Sequence, residues 1–214
     1  MRDGTKGRSL VLASASPARL RTLRAAGLDP AVVVSGIDEE RYAASSAVEL
    51  ALDLATAKAR AVADLEAAHG SVVIGCDSLL DLDGAILGKP ADAAEAAERW
   101  RTMRGRSGAL VTGHCAVDTT SGASRSAVAR TTVHFAEVSD DEIAAYISTG
   151  EPLEVAGAFS IDGLGGAFVT GIEGDHHNVV GISVPLLRVM LAGLGVVWTD
   201  LWTDLSEPQV APAT

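Results

Sequence analysis

The chain has 214 residues and a formal net charge of −11, with 48% hydrophobic, 21% charged and only 4% aromatic residues. This length and balance are typical of one folded globular domain and exclude a globally disordered chain. The negative charge disfavours nonspecific binding to DNA or RNA, which needs a basic face. A small anionic ligand remains compatible with it, provided that cations gather locally or a metal ion mediates.

The sequence also indicates a cellular compartment. No apolar run approaches the roughly 20 residues that span a bilayer, and the polar start "MRDGTKGRS" lacks a signal-peptide pattern. Cys76 and Cys115 form no disulfide framework and lack the spacing of metal ligands. We therefore expect a cytoplasmic protein with reduced thiols, without membrane or nucleic-acid partners. Flexible segments at 1–9 and 206–214 are expected to flank a single domain at 10–205.

The first predicted elements are a buried strand, "SLVLAS", and a helix from Ser16 to Gly27. Ser16 suits the N-cap, Pro17 the first helical position and Gly27 the C-terminal stop. Arg19 lies in the first turn, where the partial positive charge of the helix favours acidic side chains instead. A negatively charged ligand bound at the free backbone N–H groups would explain this arginine. The alternative is an arginine that bends outward into water.

A second strand, "AVVVSGI", ends close to Glu39, and a long helix is predicted over 47–68. Lys58, near the middle of that helix, is by itself an ordinary solvated lysine. The residues expected to share one face of the helix are Leu50, Leu54, Ala57 and Ala61.

The stretch "SVVIGCDSLLDLDGAILGKP" predicts a strand, a hairpin turn at Asp83-Gly84 and a return strand that Pro90 ends. Asp77 follows an apolar strand body, where desolvation opposes a charged carboxylate, so it is a candidate general base or metal ligand. Lys89 follows the return strand. Carboxylates and cations at the loop edges of one sheet favour a metal-assisted phosphoryl site, although each of these residues alone is more often a solvated loop charge.

The rest of the chain alternates further helices and strands, which predicts an α/β fold with a mixed sheet. In order, we predict a helix from Asp92 to about Arg104, strands at 109–119 and 123–138 joined by "TSG", a helix from a Ser139–Glu142 capping box to Gly150, a glycine-rich segment at 151–181 containing "AFVTGI", and a helix near 185–192.

Seven segments of the chain, in one order, resemble the Maf family of nucleoside triphosphate pyrophosphatases, a family first associated with septum formation. They are "LASASPAR", "IDEE", "ATAKARA", "VIGCDSLL", "LGKP", "GEPLEVAGAFSIDGLGGAFV" and "IEGDHHNVVGIS". The resemblance covers nearly everything from Leu10 to about Leu191 and is far more specific than any single short motif.

The resemblance implies an elongated mixed β-sheet flanked by helices, like that of the house-cleaning inosine triphosphatases, with the active site in a cleft between two lobes. It implies hydrolysis of a nucleoside triphosphate to a monophosphate and pyrophosphate by water attack at the α-phosphorus. Such an activity clears noncanonical or modified nucleotides and is connected with cell-division arrest. Because the chain is so acidic, we also expect a divalent cation, Mg²⁺ or Mn²⁺, to accompany the triphosphate.

The family's functional residues transfer to matching positions of this sequence. Asp77 matches the base that activates water, Glu39 matches an acidic position connected with metal binding and catalysis, and both are candidate metal ligands. Ser14, Arg19, Lys58 and Lys89 match phosphate-binding positions, and Lys89 is also a catalytic candidate.

Three positions depart from the pattern of the family. Ala18 stands where many members have a second arginine, Ser78 where one subgroup has threonine, and Asp162 where that subgroup has glutamine. The chain therefore matches neither the subgroup acting on dTTP and UTP nor the one acting on 7-methyl-GTP. We assign Ala18, Ser78 and Asp162 to selection of the base or sugar, because a carboxylate and an amide recognise different hydrogen-bond donors.

Two other functions remain open at this point: a noncatalytic nucleotide-binding regulator of septum formation, and a phosphatase that releases orthophosphate. Adjacent His176 and His177 are expected to point apart in an extended loop rather than to bind a metal. Asn178 and Gly181 are expected to shape a loop beside the substrate. The remaining motif is "WTDLWTD", whose Trp198 and Trp202 share one helical face and leave a homodimer contact open.

Overall fold

A mixed sheet of seven strands runs through the computed structural model, which describes residues 8–203. The strands are β1 (Ser9–Leu12), β2 (Ala31–Val32), β3 (Ser71–Leu82), β4 (Ala85–Leu87), β5 (Ser107–Asp118), β6 (Ser124–Phe135) and β7 (Val169–Glu173). Their spatial order is β2-β1-β3-β5-β6-β7, with β4 also paired to β3. The pairs of β1 with β2 and with β3 are parallel, and the other pairs are antiparallel. The predicted α/β fold with a mixed sheet is confirmed.

Six α-helices accompany the sheet within residues 8–203. They are α1 (Pro17–Ala25), α2 (Ala47–Ala63), α3 (Ala93–Met103), α4 (Asp140–Ser148), α5 (His176–Val180) and α6 (Val184–Ala192). Short 3₁₀ helices lie at Glu39–Arg41, Glu66–Ala68, Glu151–Glu154, Ala156–Ala158, Leu164–Phe168 and Trp198–Leu201.

Local signals placed most of these elements correctly. Ser16 is the N-cap of α1, Pro17 opens the helix, and Gly27 follows its end with a φ of 85°. The Ser139–Glu142 capping box at α4 is complete. The hairpin of β3 and β4 turns at Asp83 and Gly84, which both have positive φ angles.

Three predictions about where an element ends were wrong. The strand expected over "AVVVSGI" is only β2, so Glu39 does not end a strand but begins a 3₁₀ helix. Asp77 lies in the middle of β3 rather than at its end, because antiparallel pairing with β5 continues past it to Asp81. Helix α2 ends at Ala63, five residues before its expected end at Ala68.

The sheet is covered on both faces. Helix α2 packs on one face of β3 and β5, where Val62 joins a small cluster with Val11 and Val73. On the opposite face, Leu23 of α1 and Leu187 of α6 pack in a second cluster. A third cluster, built around Trp100, lies at the far end of β3 under α3 and α4. Successive residues of β3 therefore point alternately toward α2 and toward α1 and α6.

One edge of β3 is open over five residues. The edge opposite β5 is paired with β1 as far as Ile74 and with β4 from Leu80 onward. Between these pairings, within the described residues, Gly75–Leu79 have no neighbouring strand on that edge. The gap lies between the Leu23 cluster and the Trp100 cluster, where a cleft between two lobes is expected.

Residues 1–7 and 204–214, which hold most of the two terminal segments expected to be flexible, lie outside the described residues. In residues 8–203, no helix combines the length and the apolar character that crossing a membrane would require.

Candidate active site at the open edge of strand β3

Asp77 and Lys58 form a buried ion pair at the open edge of β3. The Lys58 Nζ atom lies 2.5 Å from Asp77 Oδ1 and 2.7 Å from Oε1 of Glu39. Asp77 and Lys58 are 7% and 8% exposed, whereas the side chain of Glu39 is half-exposed. The structure therefore brings the predicted base, one predicted phosphate ligand and the predicted acidic partner together around one ammonium group.

Two glycines allow helix α2 to place Lys58 so close to the sheet. A Cβ atom added to Gly75 would lie 2.3 Å from the Ala55 carbonyl oxygen, and one added to Gly113 would lie 2.1 Å from the Ala51 carbonyl oxygen. The backbone of α2 therefore rests directly on β3 and β5. This contact places Lys58 beside Asp77, so it is not the solvated lysine that its own segment would suggest.

The environment of Asp77 changes its acidity. Burial raises the pKa of this carboxyl above its ordinary value, the charges of Lys58 and Arg19 oppose that rise, and the Glu39 charge adds to it. Within the described chain, only Oδ1 of Asp77 has a hydrogen-bond partner. The second oxygen is therefore available to accept a proton from water or to bind a cation.

Arg19 lies on the other side of the gap and is held by three hydrogen bonds. Its Nε donates to the Gly181 carbonyl at 2.7 Å, Nη1 to Ser14 Oγ at 3.1 Å, and Nη2 to Ser78 Oγ at 3.0 Å. Arg19 is 9% exposed, so it does not bend outward into water. A guanidinium has five N–H donors, which leaves two that can bind an anion.

Asp77 and Ser78 alternate along β3 and thus face opposite sides of the sheet. Asp77 faces Lys58 on α2, and Ser78 faces Arg19 on α1. The cationic groups therefore approach the open edge from both faces. This arrangement can surround an anionic chain of phosphates with positive charge while one carboxylate oxygen remains accessible.

Lys89 contacts neither the Asp77–Lys58 ion pair nor the residues around Arg19. It follows β4, its side chain is 64% exposed, and its Nζ lies 3.7 Å from Glu154. Among the positions assigned to base selection, Ala18 is half-buried on α1 and Ser78 is bound to Arg19. Asp162 is exposed, accepts a hydrogen bond from Ser160 at 2.7 Å, and lies 3.7 Å from Arg21.

The segment from Asp175 to Ser183 forms the wall behind Arg19. His176 and His177 lie on the short helix α5, with their rings 5.7 Å apart. The prediction of an extended loop at these residues was therefore wrong. Asn178 is fully buried, and Gly181 supplies the carbonyl that binds Arg19, which agrees with a loop-shaping role for both.

The sequence did not identify Thr112, which lies at 3.0 Å from Ser78 Oγ on the neighbouring strand. A sequence signal was present, because Thr112 and His114 lie two residues apart in the mainly apolar middle of β5 and so point to the same face. Both are fully buried. A polar pair on a face expected to be apolar indicates a specific hydrogen-bond network.

Thiol chemistry is an unsuitable alternative at this edge. Cys76 and Cys115 are free and buried, and burial raises the pKa of the Cys76 thiol to about 12. A thiol in that state is protonated near neutral pH and is a poor nucleophile.

Comparison with known proteins agrees with the motifs. The model of the Maf family, described as "Maf-like protein", matches residues 9–194. A protein of Streptomyces coelicolor named nucleoside triphosphate pyrophosphatase is 62% identical over 200 residues, covering 94% of this chain and 97% of that protein. Proteins of the same name from Streptomyces avermitilis and Salinispora tropica are 60% and 59% identical, covering 92% and 96% of this chain and 95% and 92% of their own lengths.

Proposed function

This chain belongs to the Maf family, and we propose that it is a nucleoside triphosphate pyrophosphatase that releases pyrophosphate by water attack at the α-phosphorus. The activity class follows from relatives at 59–62% identity that carry this name and match almost their whole length. The chain is accordingly a hydrolase that acts on nucleotides. The observation that carries the mechanism is the open edge of β3, where a buried carboxylate with one free oxygen lies between two buried cations.

In this mechanism the cations bind the phosphates. Arg19 has two unused N–H donors, and Ser14 and the backbone at the start of α1 lie beside it. Lys58 approaches from the opposite face, and Lys89 is long and exposed enough to reach the polyphosphate from the end of β4. Together they stabilise the negative charge that develops on the α-phosphate and on the leaving pyrophosphate.

Asp77 acts as the general base. The oxygen that has no hydrogen-bond partner within residues 8–203 accepts a proton from the attacking water, which leaves Oδ1 to bind Lys58 or a cation. Because burial raises its pKa, the carboxylate is a stronger base than an exposed aspartate. Glu39 holds Lys58 from the other side and fixes the direction of the ammonium group.

A divalent cation fits these residues only as a partner of the substrate. No group of three His, Cys, Asp or Glu side chains suited to a metal occurs within residues 8–203. Asp77 and Glu39 offer hard oxygen ligands, and Mg²⁺ commonly uses one or two carboxylates plus substrate phosphates. We therefore propose that these two residues hold Mg²⁺ or Mn²⁺ together with the triphosphate. When bound, the ion would neutralise phosphate charge.

The remaining assignments are part of the proposal and rest on the sequence. Selection of the base or sugar is assigned to Ala18, Ser78 and Asp162. A cytoplasmic location is inferred from the composition. A homodimer through Trp198 and Trp202 is likewise only proposed. The expectation that these residues share one helical face was wrong, because the 3₁₀ helix that begins at Trp198 ends at Leu201 and Trp202 has an extended backbone. Both residues line a surface cavity of about 540 Å³.

The test is a hydrolysis assay that separates products, with dTTP, UTP, CTP, GTP, 7-methyl-GTP and inosine triphosphate as substrates. We expect a monophosphate and pyrophosphate in the presence of Mg²⁺ or Mn²⁺, and no turnover in excess chelator. Orthophosphate and a diphosphate would identify a phosphatase instead. Nucleotide binding without turnover would favour the noncatalytic regulator. The ranking of substrates in Asp162→Gln, compared with the wild type, tests the assignment of that residue.

A further inference from the structure

We propose that Thr112 of β5 is a positioning residue that holds Arg19 in the orientation needed to bind the substrate's phosphates. This inference rests on the proposed function, in which Arg19 binds phosphate. Thr112 is fully buried and lies on β5, which pairs with the opposite edge of β3 from the open one. It acts through Ser78 and through the segment that follows α5.

Arg19 is linked to Thr112 through Ser78, and the hydrogen bonds of this link can all point in the same direction. Arg19 can only donate, so Ser78 Oγ accepts the bond from Nη2 at 3.0 Å. The single hydroxyl hydrogen of Ser78 is then free to bind Thr112 Oγ1, 3.0 Å away. Thr112 donates its own hydrogen to the Asn178 carbonyl at 3.3 Å. Each of the three donated hydrogens in this series of bonds has one acceptor, so the bonds strengthen one another.

The backbone that binds Thr112 also binds the Nε side of Arg19, through Gly181. The Gly181 N–H donates to the Asn178 carbonyl at 3.0 Å, and the Gly181 carbonyl accepts Arg19 Nε at 2.7 Å. Thr112 is therefore connected to both sides of the guanidinium, to Nη2 through Ser78 and to Nε through Asn178 and Gly181.

The segment itself is anchored to the sheet by buried polar side chains. Asn178 Nδ2 donates to the Leu110 carbonyl and to Thr131 Oγ1, both at 3.1 Å. The Ser183 N–H donates to His114 Nε2 at 2.8 Å. Thr112, Thr131, His114 and Asn178 are all fully buried. Of their side-chain polar atoms, only Asn178 Oδ1 has no hydrogen-bond partner within residues 8–203. Buried polar groups that are hydrogen-bonded, as the others are, fix one geometry.

A fixed geometry matters because a free arginine has many rotamers. A guanidinium that is already aligned loses less entropy when it binds a phosphate and keeps its two unused N–H groups directed at the ligand. We infer that the network supplies this alignment to Arg19.

The test compares Thr112→Val with Thr112→Ser in the release of pyrophosphate from the best substrate. Valine keeps the shape but removes the hydroxyl, so we expect kcat/KM to fall about tenfold, mainly through KM. Serine keeps the hydroxyl and should restore kcat/KM to within about threefold of the wild type. The matched control is Thr119→Val, which removes a hydroxyl bonded to the Ala68 carbonyl at 2.8 Å, far from Arg19, and should leave kcat/KM unchanged.

A double-mutant cycle separates positioning from a general structural effect. If Thr112 acts through Arg19, Thr112→Val should have almost no further effect in an Arg19→Met background. An equal loss in both backgrounds would overturn the proposal. Should Thr112→Val fail to fold, Ser78→Ala interrupts the same series of bonds one step closer to Arg19. It is then read from the binding of inorganic pyrophosphate, which has no base or sugar for Ser78 to select: weaker binding supports the proposal and unchanged binding overturns it.

Binding of inorganic pyrophosphate, measured by calorimetry, distinguishes this inference from the proposed function. A wild-type protein without turnover would refute the function, yet weaker pyrophosphate binding in Thr112→Val than in Thr119→Val would still support positioning. Equal pyrophosphate affinity in all three proteins, together with an unchanged kcat/KM, would refute the role of Thr112.

Discussion

Asp77 and Arg19 carry opposite charges into the interior by different means. Asp77 has one close cationic partner, Lys58, and no hydrogen bond to its second oxygen within residues 8–203. Arg19 is bound only by neutral acceptors, namely two hydroxyls and a carbonyl. A cation held by neutral groups keeps its full charge for a ligand, and an incompletely paired carboxylate keeps its basicity. Both arrangements lower the stability of the folded protein, and the charged groups gain their missing partners when the substrate binds.

The charge of Lys58 should determine the acid limit of activity. Its ammonium group opposes the rise that burial causes in the pKa of Asp77. In Lys58→Met the pKa of Asp77 should rise further, so the acid limb of the kcat profile should move to higher pH. A lost charged contact to phosphate should also lower kcat/KM by about 10- to 100-fold.

The control for this prediction is Lys89→Met, measured over the same pH range. Lys89 contacts Glu154 and not Asp77. Its loss should weaken activity without moving the acid limb. An acid limb that stays in place in Lys58→Met would mean that Asp77 is not the titrating base.

Glu39 should have the opposite effect on the same profile. Its negative charge contributes to the raised pKa of Asp77. Removal of that charge in Glu39→Gln should lower the pKa and extend activity to lower pH, even though kcat itself falls. The measurement is the pH dependence of kcat at saturating substrate, and a shift to higher pH would contradict this account.

At the residue scale, local sequence signals predicted Arg19 and Asp77, whereas Lys58 was predicted only by the resemblance to the family. A cation in the first turn of a helix and a carboxylate directly after a run of apolar strand residues are both local conflicts, so neighbouring residues suffice to show them. A lysine in a helix is ordinary in its local context. Only the position of α2 against the sheet makes Lys58 buried, and without the resemblance to the family nothing in its own segment would have indicated a role.

At the element scale, the contact of α2 with the sheet depends on small residues on both sides. Alanines 51, 55 and 59 of α2 face Gly75 and Gly113, and the carbonyls of Ala55 and Ala51 occupy the places where Cβ atoms would lie. This close approach is what brings an amine from α2 to a carboxylate on β3.

Gly75→Ala should therefore disturb stability and activity together. The added Cβ would lie 2.3 Å from the Ala55 carbonyl oxygen and 2.7 Å from the Ala59 nitrogen, so α2 must move away from β3. We expect a loss of about 2 to 3 kcal/mol in the free energy of unfolding, measured with urea, and a fall in kcat. Gly171→Ala is the control, because its Cβ would meet only His134 at 3.7 Å. A Gly75→Ala protein with unchanged stability would contradict the packing described here.

The sequence pattern misjudged this helix for the same reason. Of the stripe of Leu50, Leu54, Ala57 and Ala61 that was expected to face the core, only Leu54 is buried. The other buried residues of α2 are Ala47, Ala51, Ala55, Lys58, Ala59 and Val62. Hydrophobic periodicity weights leucine above alanine. Here alanines face the sheet because only small side chains permit the close approach. In contrast, α1 and α4 have caps that specify their starts by local hydrogen bonds, so those starts were predictable.

At the scale of the whole molecule, the catalytic edge exists because two strands share one side of β3. β1 leaves after Leu12 and β4 begins to pair at Leu80, so five residues of β3 remain open between two apolar clusters. Strand lengths and the order of pairing produce this gap. Neither could be read from the sequence, since a long apolar strand such as β3 carries no signal of where its neighbours stop.

His114 should make the stability of the whole protein depend on pH. Burial is the main reason that its pKa falls to about 4, from 6.5. Because the unfolded chain binds a proton at higher pH than the folded chain does, stability should be lost as the pH falls from about 6.5 to about 4. The full effect is about 3 kcal/mol at 1.4 kcal/mol per pKa unit.

The comparison of wild type with His114→Gln isolates this contribution. Glutamine can still accept a hydrogen bond from Ser183 but does not titrate. The difference in unfolding free energy between the two proteins should change in favour of the variant as the pH falls from 6.5 to 4, as measured by urea denaturation at several pH values. A constant difference would show that His114 is not a neutral, buried acceptor in the folded protein.

The position of the new bond tests the central claim most directly, namely that Asp77 activates a water molecule for attack at the α-phosphorus. Hydrolysis of the best substrate in water enriched in oxygen-18, followed by mass spectrometry of both products, should place the label in the nucleoside monophosphate and leave pyrophosphate unlabelled. The Asp77→Asn protein should bind the same nucleotide and release neither product. Label in pyrophosphate, or normal turnover by Asp77→Asn, would contradict the account.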